Sequence, residues 1–109
     1  MKQFEIWWAD LPAPVGRRPV VLLTRTPAVA YLNKVIVVEV TTTIRDIAQE
    51  VRLGEAEGLP LASVANFDNV HVVAKRQLTL KAGELSSARI LEAKRALGHA
   101  LGWVELMGL

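Results

Sequence analysis

Residues 16–23, Gly16-Arg17-Arg18-Pro19-Val20-Val21-Leu22-Leu23, set two arginines at the mouth of an apolar run. Pro19 fixes its own φ, has no N–H to give a ladder and pushes the residue before it toward extended backbone, so it belongs where a strand begins. Arg18 is thereby held at a strand entrance. The four residues after Pro19 show no polar alternation, which predicts a strand buried on both faces. A guanidinium rooted on such a strand is well placed to grip an anion.

Upstream, residues 3–9 read as a first strand, with Phe4, Ile6 and Trp8 on one side and the adjacent Trp7 on the other. Packing suits both tryptophans better than ligand stacking, and one of them is expected in the core. Asp10 to Gly16, with Pro12 and Pro14, is a stiff loop that delivers the chain to Arg17. Downstream, Thr24 to Asn33 contains Pro27 and reads as a connection or short helical turn. Lys34 to Val40 is a strand with Ile36, Val38 and Val40 on one face. Its other face carries Val35 and Val37 and then turns polar at Glu39 and Thr41. Thr41-Thr42-Thr43 follows, three hydroxyls able to donate to phosphate or to backbone carbonyls.

Glu50 to Leu53 is a short strand, Gly54 to Pro60 a turn and Leu61 to Phe67 an apolar segment. Asp68-Asn69 reads as a turn pair, and Val70 to Ala74 as a strand ending in Lys75-Arg76. From Ser86 onward Ile90, Ala93, Leu97, Ala100, Leu101 and Val104 recur at helical spacing, with Glu92, Arg95 and His99 opposite. Ser86 or Ser87 is the expected N-cap. Leu97, Leu101 and Val104 are expected in the core, and Gly98 and Gly102 weaken the helix near its end. Short strands with polar turns and one C-terminal helix predict a mainly β fold, a small antiparallel barrel.

The chain has 109 residues, and residues 1–109 are expected to form one domain. Thirteen basic and eleven acidic side chains give a net charge of only +2, too little for a general nucleic-acid coating protein. The charge is uneven, however. From Arg17 to Arg52 six basic residues face three acidic ones, which predicts a local basic face. No cysteine is present, so there is no disulfide framework and no thiolate nucleophile. With neither a signal-like apolar start nor a run long enough to span a membrane, a cytoplasmic protein is expected. A hydrophobic content of 51% suggests a further buried surface such as a dimer interface.

The two histidines, His71 and His99, share no metal-ligand spacing with carboxylates, so no metal or other cofactor is expected, and both read as structural or solvated. Ser63, Asp68 and His71 invite a triad reading, but no nucleophile elbow surrounds Ser63. No Gly-rich phosphate loop is present. Spacing alone leaves Arg18 and Thr41 open to the plain reading of a surface arginine and a strand-terminal threonine.

The succession Arg18-Pro19-Val20-Val21-Leu22-Leu23, Val37-Val38-Glu39-Val40-Thr41-Thr42, Gly58-Leu59, Ser63-Val64 and Asp68-Asn69-Val70 resembles the MazF/PemK toxin family, in order and spacing, across most of the chain. The resemblance implies an SH3-like small β-barrel of the CcdB/Kid/MazF type with a C-terminal helix, forming a homodimer. It also implies metal-independent, sequence-specific cleavage of single-stranded RNA and a cognate antitoxin that blocks the site. The family's catalytic arginine and strand-terminal Ser or Thr map onto Arg18 and Thr41. The sequence departs from the family in a shorter loop before Arg18 and in Asp68-Asn69 where an acidic-Gln pair is usual.

Cleavage without metal uses the RNA 2′-hydroxyl as nucleophile and leaves a 2′,3′-cyclic phosphate and a 5′-hydroxyl. Arg18 suits charge neutralisation on the phosphorane, and Thr41 suits donation to a non-bridging oxygen. The base stays open; Glu39, on the strand face of Thr41, is one candidate. Arg17, Arg25, Thr42, Thr43, Arg45, Lys75 and Arg76 are expected to hold the RNA, and an acidic, apolar, disordered antitoxin segment to fold along the same basic groove. Two other functions fit the same barrel: a non-catalytic toxin that binds a protein such as a topoisomerase, as CcdB toxins do, and a small RNA-binding barrel without chemistry.

Overall fold

A computed structural model describes all residues from Met1 to Leu109. Six strands form one antiparallel sheet: β1 (Glu5–Asp10), β2 (Arg17–Leu22), β3 (Lys34–Thr41), β4 (Glu50–Leu53), β5 (Ser63–Ala74) and β6 (Leu78–Glu84). Their spatial order is β4-β5-β3-β2-β1-β6. A one-turn helix, α1 (Thr26–Val29), follows β2, and the chain ends in α2 (Ser87–Leu101) and α3 (Val104–Met107).

The sheet curls into a half-barrel because both of its faces are buried. On one face Ile6, Val21, Val38, Val40, Val51 and Phe67 pack with Ala93 and Ala96 of α2. On the other, Val20, Leu22, Val35, Val37 and Val73 pack with Leu11 and with Val29 of α1. Val20, Val21 and Leu22 are each fully buried, so the run after Pro19 lacks alternation because successive side chains enter different cores. The turn between β4 and β5 meets β6 with backbone against backbone. A Cβ on Gly58 would stand 2.0 Å from the Ala82 carbonyl oxygen, and one on Gly83 would stand 2.1 Å from that of Glu57. Only glycine permits that contact.

Several expectations need correction. Asp68-Asn69 is no turn: β5 is one twelve-residue strand that bends there. Val38 pairs with Val70 and Val40 with Ala65, so residues 66–69 stand opposite Glu39 alone. The bulge holds because Asn66 Oδ1 accepts the Asp68 N–H (2.9 Å), the Phe67 N–H bonds the Gln49 carbonyl (2.9 Å), and the Phe67 side chain is buried in the core. Residues 78–84, unassigned by the periodicity, form edge strand β6 on β1. Neither Trp7 nor Trp8 is wholly buried. Ser86 caps α2 as expected, its hydroxyl accepting the Arg89 N–H. The helix stops at Gly102, which turns left-handed (φ 65°), so Leu97 packs on the core while Leu101 and Val104 remain exposed, at 62% and 72%. Ile36 (45%) and Val72 (57%), register partners on the Val38 side of the sheet but outside the cluster that α2 covers, are also exposed.

Candidate active site

Arg18 sits at the entrance of β2, paired with Ala9 of β1. Its Nη1 donates to Glu39 Oε1 at 2.9 Å. The other oxygen of that carboxylate, Oε2, lies 2.9 Å from His71 Nε2. Glu39 therefore bridges a guanidinium on β2 and an imidazole on β5. Sheet register explains the meeting. Val20 pairs with Glu39 and Val37 with His71, so Arg18, Glu39 and His71 project from one face, continuous with Val20, Leu22, Val35 and Val37.

The valines form the buried base of the site, and the polar groups form its rim. Glu39 is the most shielded of the three side chains, 16% exposed against 32% for Arg18 and 37% for His71. A cleft of about 350 Å³ opens beside them, walled by Leu11, Pro12 and Val15 of the β1–β2 loop, by Val72 and Val73, and by Gln77. The Gln77 side chain donates to the Asp10 carbonyl (3.0 Å) and so ties this wall to the end of β1.

Thr41 ends β3 at the same rim. It lies two residues beyond Glu39, just past the last β2–β3 pair, Val20 with Glu39. The Thr41 hydroxyl accepts the Thr43 N–H (3.2 Å), which leaves its own hydrogen free to donate outward. Beyond it, the Glu50 carboxylate orders the β3–β4 loop by accepting the N–H groups of Arg45 and Asp46, each at 3.0 Å. Thr42, Thr43 and Arg45 thus stand near Thr41 on a shaped loop.

The remaining basic candidates are dispersed. Arg17 faces the other side of the sheet from Arg18, its guanidinium 5.0 Å above the Trp8 ring. Arg25 precedes α1, past the far end of β2 and on the order of 20 Å along the chain from Arg18. Lys75 follows the pairing of Ala74 with Lys34, at the end of β3 remote from Thr41, and its ammonium holds the Val29 carbonyl at 2.7 Å. Arg76 is its exposed neighbour. Ser63, Asp68 and His71 form no triad, since the Ser63 hydroxyl donates to the Leu61 carbonyl. His71 is the site residue that the sequence hid: its relation to Glu39 depends on the β3–β5 register, which no local pattern encodes. No three His, Asp or Glu side chains converge as metal ligands.

Residues 2–101 match the family model described as PemK-like, MazF-like toxin of type II toxin-antitoxin system. The chain belongs to the MazF/PemK toxin family. Among MazF relatives, the probable endoribonuclease MazF2 of Mycobacterium tuberculosis is 36% identical over 103 residues, covering 94% of this chain and 99% of that protein. The solved M. tuberculosis toxin MazF-mt6 superposes with a TM-score of 0.84 at 32% identity, over 90% of this chain and 96% of that one. A mycobacterial endoribonuclease solved in complex with its cognate antitoxin gives a TM-score of 0.83 at 27% identity, over 94% of this chain and 96% of that one. The half-barrel with its C-terminal helix is thus a MazF fold.

Proposed function

We propose that this MazF-family toxin is an endoribonuclease that cuts single-stranded RNA at short sequences without metal, with Arg18 and Thr41 as catalytic residues. The support is that both flank Glu39, which lines the cleft: Arg18 bonds its carboxylate, and Thr41 follows it by two residues on β3. Relatives named endoribonucleases, similar over most of the chain, give the reaction class.

In the reaction the 2′-oxygen attacks phosphorus and the 5′-oxygen leaves. Charge builds on the non-bridging oxygens. Arg18 turns its fork from Glu39 to that phosphate, exchanging one charge-assisted bond for a bidentate pair. Thr41 donates its free hydroxyl hydrogen to a second oxygen, and such a preorganised donor is most effective where charge develops. Thr42, Thr43 and Arg45 hold the strand beyond the scissile bond, while Arg17, Arg25, Lys75 and Arg76 act at longer range on the backbone.

The antitoxin is an acidic and apolar segment that folds over the same rim, in keeping with the antitoxin complex known for a structural neighbour. The exposed Ile36 and Val72 suit a second copy of the chain. No helix is long and apolar enough to cross a membrane, and we place the toxin in the cytoplasm, where RNA is the substrate.

The test is incubation of wild type and Arg18→Ala, in EDTA, with a mixed single-stranded RNA pool, followed by mapping of cut sites and end chemistry. Cuts that depend on Arg18 and carry 2′,3′-cyclic phosphate and 5′-hydroxyl ends are expected. Folded, antitoxin-free wild type that leaves the pool intact refutes the reading.

A further inference from the structure

The reaction needs a group to take the 2′-hydroxyl proton, and neither Arg18 nor Thr41 suits that role. An arginine stays protonated near neutral pH, and a threonine hydroxyl is a far weaker base than a carboxylate or imidazole. We propose that His71 is the general base, oriented by Glu39; the inference rests on the endoribonuclease reading above.

Two observations carry it. His71 Nε2 is shut off from solvent and makes no aligned hydrogen bond, yet it stands 2.9 Å from Glu39 Oε2. The side chain as a whole is still 37% exposed, and its second nitrogen, Nδ1, is not shut off in the same way. A carboxylate behind one imidazole nitrogen fixes the tautomer, leaves the other nitrogen as proton acceptor and stabilises the imidazolium once formed. The same carboxylate bonds Arg18 at 2.9 Å, so base and phosphate-binding group are held in register by one side chain. When Arg18 moves to the phosphate, the full charge of Glu39 is left to His71. Substrate binding thus prepares the base.

The step balances. The second ring nitrogen of His71 takes the proton from the 2′-hydroxyl as the 2′-oxygen bonds to phosphorus. The bond from phosphorus to the 5′-oxygen breaks, and that oxygen leaves with a proton from solvent. The imidazolium then returns its proton to solvent. Glu39 is a positioning residue in this scheme, since it acts through His71 and Arg18.

The experiment is the single-turnover cleavage rate, in EDTA, of an RNA that wild type cuts, measured from about pH 5 to pH 9. Around the ring, Glu39 from β3 and Arg18 from β2 are the charged groups, and the other cleft walls carry no ionisable side chain. The wild-type rate is expected to rise with pH, up to about tenfold per unit, and then level. His71→Gln should lose this limb and fall about 10² to 10⁴-fold, the usual range for a lost general base. Added imidazole should partly restore His71→Ala. Glu39→Gln should slow cleavage and Glu39→Asp should restore part of the rate, because Glu39 acts through its carboxylate. A His71→Gln rate within about threefold of wild type overturns the assignment, as does a slow variant that keeps the wild-type pH limb and ignores imidazole. With Arg18-dependent cutting intact, those results sink this inference alone; a wild type that cuts no RNA sinks the endoribonuclease reading with it.

Discussion

Glu5→Gln exposes the electrostatic tie that closes the β1 side of the half-barrel. Glu5 is only 6% exposed. Its Oε1 accepts the Lys2 N–H at 2.7 Å and the Trp7 indole N–H at 3.1 Å, and its Oε2 pairs with the Lys81 ammonium of β6 at 3.0 Å. Burial by itself raises the carboxyl pKa, but the bonds from Lys81, Lys2 and Trp7 outweigh it and bring the value from 4.5 to about 2. At about 1.4 kcal/mol per pKa unit, that drop corresponds to roughly 3 kcal/mol. The Lys81 side chain is 44% exposed, so solvent screening reduces the expected contribution to about 1 to 2 kcal/mol. Glutamine keeps an acceptor for Lys2 and Trp7, so the substitution removes chiefly the charge.

The sign follows from linkage. The unfolded carboxyl binds its proton more tightly than the folded one, so the contribution is complete above about pH 4.5 and is lost as pH falls toward 2. Urea unfolding of wild type and Glu5→Gln across that window is the assay. At neutral pH the variant should unfold at lower urea with an unchanged slope, and the gap should close on acidification. A gap that is absent at pH 7, or that stays constant down to about pH 2, refutes the reasoning.

Two further outcomes are expected. Thr41→Val removes the donor aimed at the phosphate and should slow cleavage about 10² to 10³-fold, the usual loss for one such donor, while a thermal melt stays near wild type; an undiminished rate removes Thr41 from the site. Gly83→Ala drives a methyl into the Glu57 carbonyl and should cost more than about 2 kcal/mol in urea unfolding, whereas Gly54→Ala, with open space around it and extended backbone, should be nearly neutral. Equal costs for the two would mean that the sheet edges do not depend on that contact.

Much of the fold was legible where local chemistry and burial agree. Pro19 and the apolar run after it give β2 and its two buried faces, Glu50–Leu53 is the observed β4, and Ser86 is the observed cap. The misses share one cause, in that longer-range packing overrode a local signal. Asp68-Asn69 has turn chemistry, but the burial of Phe67 and ladders on both edges of β5 keep the strand running through it. The apolar spacing of α2 continues past Gly102, yet α3 folds back until Leu106 meets Gly98, so Leu101 and Val104 lose their core. Leu78, Leu80 and Ala82 alternate as a strand should, but the pattern is short and Leu80 is 57% exposed. At the site, spacing alone leaves Arg18 and Thr41 as a surface arginine and a strand-terminal threonine, and the family resemblance singles them out. His71 was not legible, since it becomes a partner of Glu39 only when β5 lies beside β3.

The loop beyond Thr41 is ordered from its own end, by the Glu50 carboxylate on the N–H groups of Arg45 and Asp46 and by Arg52 on Asp46. The cleft around Arg18 rests instead on valines of the central strands. The loop and the cleft therefore have separate foundations. Side chains between Thr42 and Gln49 can change, provided that Glu50 is kept, while the valine floor under Arg18 and Glu39 stays as it is.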